Sequence, residues 1–190
     1  MKRSIMLVIA VFAAVVAFSQ SNLVSLSGGY SWAKVDDSEN IQDDPDIKGT
    51  GWRINGAYDY VNYKGNFSYG CAAGYISVSA DYKGVADTAE YTVSTVPFYF
   101  VPKYLFGKEK IQGFIKLAIG GQSARLKRKG QAGEVKANDF GFYGGGGAGL
   151  MIFVKENVFI NAEYEIAYMT NSFYRNGLMN SALFGIGLKL

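Results

Sequence analysis

Along most of this chain, apolar residues fall on every second position. In residues 179–190, Ala182, Phe184, Ile186, Leu188 and Leu190 alternate with Ser181, Gly185, Gly187 and Lys189. A period of two sends neighbouring side chains to opposite faces, so the stretch is predicted to be a strand with two unlike faces. The free edge of such a strand is removed when the first strand pairs with it, which predicts a closed barrel.

The same alternation recurs upstream and predicts eight strands. In residues 23–35, Val24, Leu26, Tyr30 and Trp32 oppose Ser25, Ser27, Gly29 and Ser31; in 50–62, Trp52, Ile54, Tyr58 and Tyr60 oppose Arg53, Asn55 and Asp59. Segment 67–82 sets Ile76, Val78, Ala80 and Tyr82 against Ser77, Ser79 and Asp81, but Phe67 and Tyr69 fall on the other parity, so a bulge is expected at 70–74. Segment 91–104 keeps Val96, Phe98, Phe100 and Tyr104 in phase, and Pro97 and Pro102 predict local distortion of its ladder. The fifth strand starts at Ile111, with Ile115, Leu117 and Ile119 in phase; the sixth spans 139–154 and the seventh 158–169, where Ile160, Ile166 and Tyr168 oppose Asn161, Glu163 and Glu165. The connections alternate in length: 36–49, 83–90, 125–137 and 171–177 are long and polar, whereas 63–66, 107–110 and 155–157 read as turns.

Which face meets water decides the class. A soluble barrel hides its apolar face; a membrane barrel turns it to lipid, keeps a polar interior and rings both interfaces with aromatics. The even strand count, alternating loop lengths and aromatics near strand ends (Trp32, Trp52, Tyr60, Tyr104, Tyr168) predict an all-β, eight-stranded antiparallel transmembrane β-barrel, with both termini periplasmic and the long loops outside.

Composition adds an export signal. Lys2 and Arg3 precede an apolar run from Ile5 to Phe18, and Ala17-Phe18-Ser19 has the small-x-small form of a signal peptidase site, so residues 1–19 are expected to be a signal peptide and 20–190 the barrel domain. Without Lys2 and Arg3 the chain carries 17 basic and 16 acidic residues, a balance that gives no case for nucleic-acid binding. Cys71 is the one cysteine, which excludes an intramolecular disulfide and is expected to fill a small apolar position.

The leader ending Ser19-Gln20, the glycine-rich apolar strands, the stretch Val96-Pro97-Phe98-Tyr99-Phe100-Val101-Pro102-Lys103-Tyr104 and the terminal Gly185-Ile186-Gly187-Leu188-Lys189-Leu190 resemble the small outer-membrane β-barrel family, the porin family proteins of OmpA and OmpX type. The resemblance implies a Gram-negative outer-membrane location and contact with outer-membrane lipids. It also implies assembly through the C-terminal strand by the barrel-assembly machinery. Members typically end in an aromatic that this machinery reads; here the last residue is Leu190. A monomer is expected.

Motifs with chemical meaning are few. Gly144-x-Gly146-x-x-Gly149 matches a dinucleotide fingerprint, but that motif needs a following helix, and Leu150 to Val154 continue as strand, so no cofactor is expected. Asp44-x-Asp46-x-Lys48-Gly49 has the spacing of a calcium loop, yet Lys48 occupies a ligand position and Asn55 stands where the bidentate Glu belongs; a solvated polar loop is preferred and no metal is expected. With no histidine in the chain, Ser-His-Asp catalysis is excluded. Glu163 and Glu165 share a strand face as a hydrolytic pair would, but in a narrow interior carboxylates must be compensated, so Arg53, Asp59, Lys103, Lys116, Glu163, Glu165 and Lys189 are expected to form a lumen charge network. The basic cluster Arg125, Lys127, Arg128 and Lys129, expected on a loop, offers contacts for anionic headgroups.

These readings favour a non-enzymatic barrel with a filled lumen and a structural or surface-interaction role. A narrow pore or transporter for small solutes or hydrophobic ligands is the nearest alternative. A lipid-modifying barrel enzyme is the third, disfavoured by the missing histidine.

Overall fold

A computed structural model of the chain describes residues 22–35, 47–62, 66–83, 88–108, 110–130 and 133–190. The expected leader and its cleavage point, the acidic segment 36–46 and residues 63–65 of the first turn lie outside the described residues.

The strands are β1 (Asn22–Val35), β2 (Ile47–Val61), β3 (Phe67–Lys83), β4 (Thr88–Lys108), β5 (Ile111–Gly130), β6 (Gly133–Lys155), β7 (Val158–Met169) and β8 (Tyr174–Lys189). Each pairs antiparallel with its sequence neighbours, and β1 pairs with β8 from Leu23↔Lys189 to Val35↔Tyr174, closing the ring. Closure gives each strand a hydrogen-bonded neighbour on both sides around the middle of the barrel, the condition for sheet to cross hydrocarbon. Leu26, Ile54, Phe100, Leu117, Ile119, Ile166 and Ile186 point outward and are exposed. Aromatics flank this band on both sides. Trp32 lies 6.0 Å from Tyr164 and Trp52 5.2 Å from Tyr75 towards the long loops, while Tyr60 lies 5.2 Å from Tyr69 and Tyr104 6.4 Å from Phe106 towards the short turns.

The bulge expected at 70–74 is absent. β2 and β3 stay in register from Thr50↔Ser79 to Val61↔Ser68. Phe67, Tyr69 and Tyr75 face outward along β3, whereas Ile76, Val78 and Ala80 are buried inside. The strand changes solvent: within the bilayer the apolar residues face lipid, and beyond it water lies outside, so they turn to the core. That inversion has the same sequence signature as a slipped register.

The long connection expected over 125–137 is also replaced. β5 runs to Gly130 and β6 starts at Gly133, with a continuous register that includes Lys129↔Glu134, Lys127↔Lys136 and Arg125↔Asn138. Beyond the membrane, charged residues line the outer face of this hairpin while Leu126 and Ala137 pack against the core, so composition alone reads as loop. Near the prolines the pairing is interrupted without a shift: the β3–β4 register is the same at Ala73↔Phe98 and Ile76↔Thr95, and the β4–β5 register at Phe100↔Ile119 and Lys103↔Lys116, with no pairs between them. A proline has no N–H to give a ladder.

Candidate functional site: a sealed lumen

Eight strands enclose a space that side chains can fill, and the inward positions fill it in layers. Towards the long connections, Val78, Ile76, Tyr91, Val93, Met169 and Met179 form one apolar cluster. Towards the short turns, Leu23, Leu105, Phe114, Met151 and Phe159 form another. A polar layer lies between them.

That layer is built around Arg53 of β2 and Glu165 of β7, 1% and 0% exposed. Arg53 Nη1 lies 2.5 Å from Glu165 Oε1, and Nη2 donates to the Tyr99 hydroxyl at 2.7 Å. Tyr99 Oη donates in turn to Asn55 Oδ1 at 2.9 Å. Tyr143 donates to Glu165, and its ring stacks on Tyr99 at 4.8 Å between centroids. Lys116 of β5 joins Glu163, at 2.7 Å, to Glu165. Lys103 of β4 pairs with Asp59 of β2 at 2.6 Å, its ammonium 5.5 Å from the centroid of the Phe114 ring. Three cations thus face three carboxylates, and the layer is neutral as a whole. A buried charge without such a partner would cost several kcal/mol.

Glycines on β6 make room for this packing. A Cβ on Gly149 would lie 2.5 Å from Phe114 Cζ and 2.8 Å from Glu163 Cβ, and one on Gly147 would lie 3.1 Å from Lys116 Cε. β6 runs on unbroken through these glycines to Lys155, without the helix that a dinucleotide site requires.

Six of the residues assigned to the lumen from sequence are therefore brought together: Arg53, Asp59, Lys103, Lys116, Glu163 and Glu165. Lys189 is a correction. It has inward parity but is exposed at the short-turn end of the barrel, one residue before Leu190, and among the described residues it pairs with no carboxylate. Tyr99, Tyr143 and Asn55 are members that the charge-based search missed; the signal was parity, since Tyr99 and Lys103 are four residues apart on one strand face.

The basic cluster is redistributed. Arg125, Lys127 and Lys129 lie on the outward face of β5, while Arg128 turns to the other face with its guanidinium 5.9 Å from the Tyr91 ring centroid. Arg125 donates to Asn138 Oδ1 at 2.9 Å, and Lys127 lies 3.2 Å from Glu134, which also pairs with Lys136 at 2.7 Å. Those two lysines hold the Glu134 carboxyl below the usual carboxylate range.

Free space decides what the lumen can pass. The polar layer leaves a cavity of ≈ 20 Å³ beside Asp59, Lys103, Asn161 and Glu163, room for about one water. Asp59 Oδ1 and Asn161 Oδ1 have no protein partner there, so a water has acceptors to meet. A much larger hollow of ≈ 930 Å³ lies on the lipid-facing wall, where Gly56, Cys71 and Ala73 are small between Leu26, Tyr58, Phe98 and Phe100. Most of its lining is outward-facing and apolar, including Val24, Ile119, Ile186 and Leu188. Cys71 is thus exposed on that wall rather than packed inside.

The family model for the outer membrane protein β-barrel domain matches residues 4–190. No curated protein matches the chain. Among solved structures, the attachment invasion locus protein of Yersinia pestis is similar at 16% identity and a TM-score of 0.51, with 89% of this chain and 99% of that one covered. Outer membrane protein OprG from Pseudomonas aeruginosa is similar at 12% identity and a TM-score of 0.52, and Neisserial surface protein A at 12% and 0.51, each covering 90% of this chain and 97% of its own. At these identities the likeness is one of fold.

Proposed function

Since the chain belongs to the outer membrane protein β-barrel family and sits in the outer membrane, we propose that it is a non-enzymatic, non-conducting barrel whose role is structural and surface-interacting. The neutral polar layer shut between two apolar clusters carries this reading. A permeant ion would have to pass Phe114 and Phe159 at one end and Tyr91 and Met179 at the other, and displace paired charges between them.

The paired carboxylates also argue against hydrolysis. Glu163 and Glu165 are both held by Lys116, and Glu165 is sealed from solvent, so neither is placed to meet a substrate. The proposed role of the six lumen charges is to hold the strands around one another in a single register. The barrel is proposed to act as a monomer in contact with outer-membrane lipids, with Arg125, the first cation beyond Phe140, placed to meet headgroup phosphates. Planar-bilayer recording of the purified chain tests the reading: little stable conductance is expected, and large steady channels would overturn it in favour of a pore.

A further inference from the structure

β6 outruns its partner. Its pairing with β7 starts only at Tyr143↔Met169, whereas its pairing with β5 continues ten residues further, to Gly130↔Gly133. Over 133–142 one side of β6 is therefore laddered, and among the described residues no strand covers the other. Parity identifies the groups on that side. The Phe142 N–H donates to Thr170 Oγ1 at 2.8 Å and its carbonyl accepts from the Thr170 N–H at 3.1 Å, so Phe142 bonds away from β5. With no bulge in the β5–β6 register, Phe140, Asn138, Lys136 and Glu134 present their backbone groups the same way. Phe140 is already capped, its N–H donating to Asp139 Oδ1 at 2.8 Å. Among the described residues, the open run is Glu134 to Asn138.

An open edge is a template for another strand. Some blunting is present, because Lys136 and Glu134 are charged, but both project sideways from the edge, and no described strand pairs with its amides. Their chemistry specifies what fits. On the outer face, Lys136 (61% exposed) and Lys127 share a single carboxylate, Glu134, and Lys129 lies opposite Glu134 in the register, so the cations outnumber the carboxylate. On the other face, Val135 is exposed beside Ala137 and Leu126. A strand laid along this edge would put alternate side chains opposite Lys136 and opposite Val135 and Ala137.

We propose that the 134–138 edge of β6 captures an extended polypeptide by strand addition, and that the segment it favours alternates acidic with apolar residues. This rests on the surface-interaction reading above and names its partner class. Backbone groups of Glu134, Lys136 and Asn138 supply the affinity; Lys136 with Lys127 on one face and Val135 with Ala137 on the other supply the preference.

The test uses the full chain folded in nanodiscs and a synthetic decapeptide of alternating glutamate and valine, followed by fluorescence anisotropy. Lys136→Pro removes an N–H that β5 does not use, so the barrel should keep its heat-modifiable gel shift while peptide binding weakens at least about tenfold. Lys136→Ala should weaken it less, and a peptide N-methylated at alternate residues should not bind. The proposal is overturned if the native chain fails to bind the peptide, if Lys136→Pro binds it as well as the native chain, or if the N-methylated peptide binds equally. A proline-sensitive dimer of the barrel that excludes the peptide would also overturn it, assigning the edge to a second copy. Bilayer conductance is read separately, so a barrel that conducts and still captures the peptide sinks the sealed-lumen reading alone.

Discussion

Glu165→Ala tests the lumen most directly. The carboxylate is fully buried, 2.5 Å from Arg53 Nη1, and is bound as well by Lys116 and Tyr143. After truncation Lys116 keeps Glu163 and Lys103 keeps Asp59, but Arg53 retains only the hydroxyls of Tyr99 and Ser181. One guanidinium charge is then left in a sealed interior. Two unit charges about 4 Å apart at an effective dielectric of about 20 interact by about 4 kcal/mol, and breaking one side of a buried pair typically costs about 3 to 5 kcal/mol. Equilibrium urea unfolding in lipid vesicles, followed by the fluorescence of Trp32 and Trp52, should report a loss of that size. Lys129→Ala, on the exposed face of β5, should stay within about 0.5 kcal/mol. Replacing both partners, Arg53→Met with Glu165→Leu, should cost less than Glu165→Ala alone, since no charge is then abandoned. A Glu165→Ala cost below about 1 kcal/mol, the range of a surface pair, would refute the sealed, paired lumen.

The polar layer between the two apolar closures predicts that Phe159→Ala, Tyr91→Ala and the double variant all fail to conduct in a planar bilayer, since the paired charges still fill the lumen; steady current from the double variant would show that this layer does not seal. Gly149→Val should destabilise by about 1 to 3 kcal/mol through overpacking against Phe114, whereas Gly146→Val, on the outer face with its nearest neighbour 3.6 Å away, should cost less; equal urea midpoints for the two would contradict this packing. At the long-loop rim, the Ser172 backbone N–H and hydroxyl, at 3.1 and 2.9 Å, hold the Asp139 carboxyl below the usual carboxylate range. A depressed carboxylate contributes stability that is full above its unfolded pKa and lost as pH falls through the lowered folded value. The Ser172 amide resonance should therefore hold steady down to the ordinary carboxylate range and shift only below it, with no such step in Asp139→Asn. A step at the ordinary carboxylate pH in the native chain would exclude the contact.

Lipid imposes its pattern strand by strand, and that is why so much was legible from residue order. A strand crossing hydrocarbon must be apolar on the face it shows to lipid, so Val24 to Trp32, Ile115 to Ile119 and Ile160 to Tyr168 announce their strands, their outward parity and the barrel class without reference to any partner. Parity also marked Arg53, Asp59, Lys103, Lys116, Glu163 and Glu165 as inward. Where the strands leave the bilayer, the constraint changes sign, and local pattern misleads. Ile76 and Val78 looked like lipid-facing residues after a bulge, and the charged run from Arg125 to Ala137 looked like a loop, because water on the outer face permits charge that lipid forbids. Register and depth are properties of the closed ring and not of any one strand. Only the ring decided that Glu165 from β7 meets Arg53 from β2, that Lys189 is exposed at the rim, and that β6 rises past β7 to leave an edge that no described strand covers.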